Sequence, residues 1–379
     1  MPENKYHSEV IGSLLRPDYL KDATAQFTAG QITQDELTAV QDRASLDAIR
    51  LQEAVGVDIL TDGEMRRRGW TDPLTKSLTG YGRAPALQVN FNAPAGRQVA
   101  EPAAESGFAA GSAPVAMSTA VIAKIGRGHN LPLQEMEFVQ AHTDRPLKVT
   151  LPSLAHASVL WSPGVSDKVY PDREEYLQDV LVYTAGLVAE CIARGATYIQ
   201  MDSPRYTHLV AENGLENFRR LGYDPMQWLD EMIGIENQLV DMFPSVNWGL
   251  HLCRGNGPRG AWAVAGGYDP IAEKLFNEIH VDRLLMEYDT PRSGNFEPLR
   301  FVPQGKVAVL GLISTKEREL ETVDLLRERL DDASKYISLD QVSLSPQCGF
   351  ASAFEGNMDE ALQRSKLEVL VQTAKAVWG

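Results

Sequence analysis

The stretch Asn247-Trp-Gly-Leu-His251-Leu-Cys253-Arg-Gly-Asn256 is an apolar run that ends in two metal-capable side chains and then breaks on glycine. In extended chain, residues i and i+2 share a face, so a strand here aims His251 and Cys253 the same way at its carboxyl end. Seven further β-rich runs occupy residues 10–15, 57–61, 147–151, 196–201, 283–288, 306–313 and 341–344, most followed by an amphipathic segment of helical length. Such alternation builds parallel strands. Eight units in 379 residues predict an α/β fold, a closed (β/α)8 TIM barrel spanning residues 1–379 as a single domain. An open doubly wound sheet is the competing arrangement.

Composition places the chain among soluble globular proteins, with 44% hydrophobic and 23% charged residues. Lysine and arginine number 36 against 51 aspartate and glutamate residues, and a formal charge of -15 argues against nucleic acid and anionic membranes as partners. The first residues lack the basic-then-apolar layout of a signal peptide, and no uninterrupted apolar run approaches the roughly 20 residues of a membrane helix. A cytoplasmic protein is expected, with homo-oligomerisation open. Three cysteines are too few for a disulfide framework, which leaves metal ligation, catalysis or core filling. Cys191 lies in an apolar helical pattern and is expected in the core, whereas Cys253 and Cys348 end strand-like runs.

Helix signals fit the same architecture. Thr33-Gln-Asp-Glu36 has capping-box spacing and opens a helical stretch carrying Leu37, Val40, Leu46, Ile49 and Val55. Residues 317–336, with Leu320, Leu325, Leu326 and Leu330 among many charges, and residues 359–377 read as outer helices. Between the second and third strand runs, residues 80–128 are rich in alanine, glycine and proline and read as an insertion, with Leu87-Gln-Val-Asn-Phe91 alternating like an exposed hairpin strand. That arm either walls a substrate cavity or decorates the surface.

Barrel active sites are built at the carboxyl ends of the strands. Six runs lead into chemistry-capable groups: Ile11-Gly12-Ser13, Thr61-Asp62-Gly63-Glu64, Asp202-Ser203-Pro204, His251-Leu-Cys253, Glu287-Tyr288-Asp289 and Pro346-Gln-Cys348-Gly349. Imidazole with thiolates suits tetrahedral zinc better than magnesium, so His251, Cys253, Glu287 and Cys348 form one available ligand set. The scattered spacing leaves a second reading standing, in which both cysteines are buried and His251 is a core histidine. With zinc, two thiolates make a soft centre suited to holding a substrate thiol as thiolate for attack on an electrophilic carbon, Glu287 being the ligand most easily displaced. Glu64 and Asp202 either meet a substrate ammonium or serve as helix caps and partners of Arg66, Arg67 and Arg68. The arginine run either grips an anionic donor tail or is a salt-bridged loop, and Trp161 and Trp262 either shelf a flat ring or cover core edges.

Taken together and in order, Ile11-Gly12-Ser13, Asp62-Gly63-Glu64, Asp202-Ser203-Pro204, His251-Leu-Cys253, Met286-Glu287 and Ser345-Pro-Gln-Cys348-Gly349 resemble one family. It is the C-terminal catalytic barrel of cobalamin-independent methionine synthase, whose relatives include epoxyalkane:coenzyme M transferase. The resemblance implies Zn2+ on His251, Cys253, Glu287 and Cys348, with Glu287 giving way to the substrate sulfur. It implies a homocysteine pocket lined by Ile11, Gly12, Ser13, Glu64 and Asp202, with Asp202 and Glu287 as catalytic carboxylates and methyltetrahydrofolate as a possible donor. Full-length synthases add an N-terminal barrel to the one read here. Two motifs depart from the family: its Asp-Glu-Pro is Asp202-Ser203-Pro204, and the histidine after its seventh strand is replaced by Gly311-Leu-Ile-Ser-Thr-Lys316.

The expected activity is therefore zinc-dependent methyl or alkyl transfer to a homocysteine-like thiol, with the donor open. The alternative within the class is epoxide or other alkyl transfer to a zinc-bound thiol, with Tyr288, Tyr206, His208 or Lys316 protonating the new alkoxide. Glu64 and Asp202 favour an amino-acid thiol over a sulfonate. From another class, Glu64, Asp202 and Glu287 could hold magnesium for a carboxylate lyase, leaving Cys253 and Cys348 as bystanders. A non-catalytic binding barrel is the remaining option.

Overall fold

The protein is described by a computed structural model covering residues 4–85, 117–257, 260–351 and 356–379. Helices α1 (Asp18–Thr28), α2 (Gln34–Val55) and the short α3 (Asp72–Thr75) precede an antiparallel hairpin of β1 (Leu78–Pro85) and β2 (Met117–Arg127). Beyond it come α4 (Leu131–Gln140), β3 (Val149–Pro152), α5 (Leu154–Ser158), α6 (Arg173–Ala193), β4 (Tyr198–Asp202), α7 (Glu212–Arg220) and α8 (Pro225–Asp241). The chain continues through β5 (Asn247–Leu252), α9 (Asp269–Glu278), β6 (Arg283–Glu287), β7 (Val307–Ile313), α10 (Val323–Ala333), β8 (Val342–Pro346) and α11 (Glu360–Trp378).

Strands β3 to β8 form a parallel sheet in sequence order. Single parallel bridges close it into a ring: Ser8 pairs with Leu344, Glu9 with Ile59, and Leu60 with Leu147. The eight-stranded barrel is thus closed, two of its strands being reduced to bridges. Six predicted strands lie within two residues of their observed bounds, and the second run, 57–61, contains the bridging Ile59 and Leu60. The first does not: pairing falls on Ser8 and Glu9, and residues 10–15 already lead out of the barrel mouth. Its inward residue is a buried glutamate, which an apolar pattern cannot flag. Inside the barrel, Glu9 meets Lys148 Nζ at 2.5 Å and Arg283 Nη2 at 3.0 Å, and accepts from the Tyr198 hydroxyl at 3.0 Å.

Alternation along the strands stacks side chains in tiers. On β4 the sequence Tyr198, Gln200, Asp202 climbs from this ionic floor to the carboxyl end, and on β6 Arg283, Leu285, Glu287 do the same. Ile11, Leu285 and Val309 form an apolar layer between floor and mouth. A much larger apolar core lies outside the ring, under the helices.

The predicted capping box opens α2: Thr33 Oγ1 accepts from Glu36 N–H, and the Glu36 carboxylate accepts from Thr33 N–H. The helix expected over 317–336 is shorter. It starts at Val323 with Thr322 as its cap, and Leu320 and Leu325 are exposed. Among the described residues one helix, α6, is long and apolar enough by length and composition to cross a membrane, although Gln178, Asp179 and Glu190 interrupt its apolar run. Its Tyr176, Leu177, Val180, Leu181, Leu187 and Val188 are buried, as is Cys191, whose thiol burial pushes up to about 12. The hairpin packs against α6, Tyr81 and Tyr176 sharing a 3.0 Å hydroxyl contact, while Leu87–Phe91, read as a hairpin strand, lies outside the described residues.

Candidate metal centre

Two strand ends converge at the barrel mouth. His251 on β5, Cys253 just after it and Cys348 after β8 are all buried, and their ligand atoms lie within 4.8 Å of one another. His251 Nδ1 is tied to Asp202 Oδ1 at 2.9 Å across the β4–β5 pair, where Asp202 and His251 are register partners. That carboxylate oxygen also accepts from Gln200 Nε2 at 2.6 Å, and Gln200 Nε2 donates in turn to Ile11 O. A proton on Nδ1 leaves Nε2 as the ring atom toward the sulfurs, buried and without an oxygen or nitrogen partner.

Electrostatics separates the two thiols. The hydrogen bond from Cys253 holds the Cys348 thiol well below its usual range against the effect of burial, with His251 assisting, while the same bond and burial push Cys253 up. Burial would neutralise His251, but Asp202 and Cys348 outweigh it and raise the imidazole to about 10. These opposed shifts favour charge on Cys348 and His251 over charge on Cys253, and a cation would bind such a set by displacing protons.

Above the cluster lies a cavity of ≈ 590 Å³ including its mouth, lined among others by Gly12, Glu64, Trp70, Asp202, Arg205 and His208. Glu64 arrives by way of a strained turn: it has φ 61°, left-handed for a non-glycine residue, after Gly63 at φ 73°, and its N–H donates to Asp62 Oδ1. Burial pushes its carboxyl up to about 7, against the pull of Arg67 at 3.3 Å. Gly12 permits close approach of two loops, since a Cβ there would stand 3.2 Å from Gly349 Cα and N.

Of the five residues expected around an amino acid, Gly12, Glu64 and Asp202 line this cavity. Ile11 turns its side chain into the barrel interior, and the Ser13 hydroxyl is buried without a partner. Glu287 stands apart from the compact trio among the described residues: it pairs with Arg292 and accepts from Arg254 N–H at 2.9 Å. Burial alone would raise its carboxyl, but Arg292, Lys316 and Arg254 hold it down to about 2. Arg66 pairs with Asp42, and Arg67 with Glu64 and Glu135, so both are engaged in ion pairs. Trp161 is buried at a core edge, its Nε1 donating to Tyr170 O. Of the proposed proton donors, His208 lines the cavity, Lys316 donates to the cavity residue Asn256 at 2.6 Å, and the Tyr206 and Tyr288 hydroxyls are buried without hydrogen-bond partners among the described residues.

The family profile described as "Cobalamin-independent synthase, Catalytic domain" matches residues 7–376. The chain belongs to this family. The chain is 32% identical to Bacillus subtilis YxjH, described as an uncharacterized protein, over 98% of this chain and 95% of the other. It is 23% identical to the methionine synthase of Pyrococcus abyssi, covering 98% and 92% of the two chains. Its fold matches a putative vitamin-B12 independent methionine synthase from Listeria monocytogenes with TM-score 0.72 at 24% identity, covering 99% and 98%. A B12-independent methionine synthase from Shewanella, solved with selenomethionine, gives TM-score 0.72 at 17% identity, covering 98% and 97%.

Within this cobalamin-independent synthase barrel, two cavity residues, Trp70 and Arg205, and two supporting residues, Gln200 and Arg292, escaped sequence reasoning. Gln200 sits two residues before Asp202 on the same strand face, a signal available from alternation but not used. Trp70 and Arg205 carried no signal, because a loop residue's direction is set only by packing. Arg292 follows Glu287 by five residues, in a 3-10 turn that sends it back onto the carboxylate.

Proposed function

We propose that this protein is a zinc-dependent thiol alkyltransferase whose reaction is methyl transfer to homocysteine. The observation that carries the reading is the buried trio His251, Cys253 and Cys348 on the floor of a cavity that Glu64 and Asp202 also line. A buried Nε2 that faces two sulfurs and has no oxygen or nitrogen partner among the described residues fits zinc in donor type, and Glu287 on the adjacent strand end is the fourth candidate once released from Arg292. Bound there, zinc supplies a Lewis acid that keeps a substrate thiol ionised at neutral pH. Asp202 holds the His251 tautomer, and Glu64 and Asp202 offer negative charge to the substrate ammonium. In the reaction the thiol loses its proton, the new S–CH3 bond forms, the bond between methyl and donor breaks, and the donor atom takes up a proton.

A relative from Trichodesmium erythraeum named 5-methyltetrahydropteroyltriglutamate–homocysteine methyltransferase supports methyltetrahydrofolate as the donor to test first. The donor types favour zinc over the magnesium lyase reading. Glu64, Asp202 and Glu287 are engaged with Arg67, His251 and Arg292, and the clustered donors are nitrogen and sulfur. The test measures bound metal in the wild type and in Cys348→Ala, then assays homocysteine with methyltetrahydrofolate beside thiols with epoxides. Zinc lost on the substitution and S-methylation of homocysteine are expected. Epoxide opening in place of methylation would move the assignment to the epoxide branch. Magnesium dependence indifferent to Cys348 would overturn the reading.

A further inference from the structure

The cavity holds one cation that no carboxylate answers. Arg205, three residues past Asp202, lines the cavity and is only 9% exposed. Among the described residues its single hydrogen bond runs from Nε to His156 Nδ1 at 3.3 Å, and no carboxylate lies within ion-pair distance of it. Other buried arginines are provided for. Arg67, Arg283 and Arg292 each contact carboxylates, and Arg254 donates to the carbonyls of Gly266, Glu287 and Ser293.

The surroundings of Arg205 add no compensating charge. Burial and the adjacent guanidinium hold His208 down to about 3 and push His156 well below its ordinary value, so both rings are neutral. Trp70 lies against His156, ring centroids 4.3 Å apart. Among the described residues the one acidic group that bears on Arg205 is Cys253, itself a member of the cluster of His251, Cys253 and Cys348. A buried ion without a partner is costly, and a fold retains one where a ligand supplies the missing charge.

We propose that Arg205 is the seat of a substrate carboxylate, so that the cavity selects an acidic reactant over a neutral one. The planar guanidinium fork matches a carboxylate bidentately, and the charge on both partners strengthens that pairing. The inference rests on the cavity being the alkyl-transfer site. The carboxylate has two sources: the amino-acid thiol, or an acidic alkyl donor such as methyltetrahydrofolate.

The experiment titrates wild type, Arg205→Gln and Arg205→Lys by calorimetry, all zinc-loaded and checked for zinc content and melting. The ligands are L-homocysteine, 3-aminopropanethiol, which keeps thiol and ammonium but lacks the carboxylate, and methyltetrahydrofolate. L-homoserine is titrated as well, because it has no sulfur and reports on Arg205 even if thiol ligation fails. The Gln variant is expected to weaken at least one acidic ligand about tenfold or more and to leave 3-aminopropanethiol unchanged. Loss confined to homocysteine and homoserine places the amino-acid carboxylate on Arg205, and loss confined to methyltetrahydrofolate places the donor there. Unchanged affinity for every acidic ligand overturns the proposal, as does an equal loss for 3-aminopropanethiol or failure of the wild type to bind any acidic ligand. Should the Gln variant not fold, the Lys variant decides: it keeps the charge, loses the fork and is expected to weaken the same acidic ligand severalfold, and equal affinity overturns the proposal.

Discussion

Replacing Asp202 probes whether His251 is built to ligate a metal. Asp202 Oδ1 accepts from His251 Nδ1 at 2.9 Å and from Gln200 Nε2 at 2.6 Å, so it fixes the tautomer that leaves Nε2 for the cation. Asp202→Asn keeps an oxygen in place but removes its charge. A hydrogen bond to a charged group is worth about 1.5–3 kcal/mol and a neutral one about 0.5–1.5, so the loss is about 1–1.5 kcal/mol. At about 1.4 kcal/mol per tenfold, zinc affinity should fall roughly five- to twelvefold. Asp202→Ala strips the acceptor, orphans the His251 N–H and the Gln200 amide, and should cost more, toward the upper end of the roughly 10–100-fold typical of such supporting partners. Zinc affinity is read by competition with a chelating chromophore, without substrate, so that any role of Asp202 in the cavity does not enter. Wild-type affinity in both variants, or a larger loss in Asn than in Ala, would refute the reasoning.

Further outcomes follow from other parts of the barrel. Glu64 has an ordinary carboxyl value of 4.5 that burial lifts to about 7. The folded state therefore binds an extra proton across that window, and stability falls as pH rises through it, by on the order of 3 kcal/mol in total. Glu64→Gln should flatten that pH dependence in denaturant titrations, and an unchanged slope would show that the carboxyl is not shifted. Lys148→Met leaves Glu9 with Arg283 but removes its 2.5 Å partner in the barrel floor, and should cost about 3–5 kcal/mol by urea unfolding; a loss below about 1 kcal/mol would mean that the floor is hydrated. Gly12→Ala forces its Cβ against Gly349 backbone, which cannot swing aside, and should cost about 1–3 kcal/mol of stability. Because Gly349 follows Cys348, zinc affinity should weaken in the same variant, and unaltered melting would show that the loops part freely.

The ring of strands and the convergence of His251 with Cys253 were both legible in the amino-acid sequence, because each rests on local pattern. A strand is a short apolar run, and i, i+2 spacing puts His251 and Cys253 on one face wherever that strand lies. The first strand was misplaced because its inward residue, Glu9, is charged, and only Lys148, Arg283 and Tyr198 arriving from three other strands make its burial tolerable. Ligand types were likewise set by residue identity, and so was the sense in which Glu64 and Asp202 are acids at strand ends. Tertiary structure alone decided what each acid does. Glu287 faces Arg292 rather than the sulfurs, Asp202 reaches His251, and Glu64 is lifted toward neutrality by burial. Whether a carboxylate ligates, orients or holds a proton depends on charges a few ångströms away, which come from distant parts of the chain and fall off steeply with distance. Arg205 shows the same limit: its sequence neighbours say nothing of a missing counter-charge, which exists only once the cavity has closed around it.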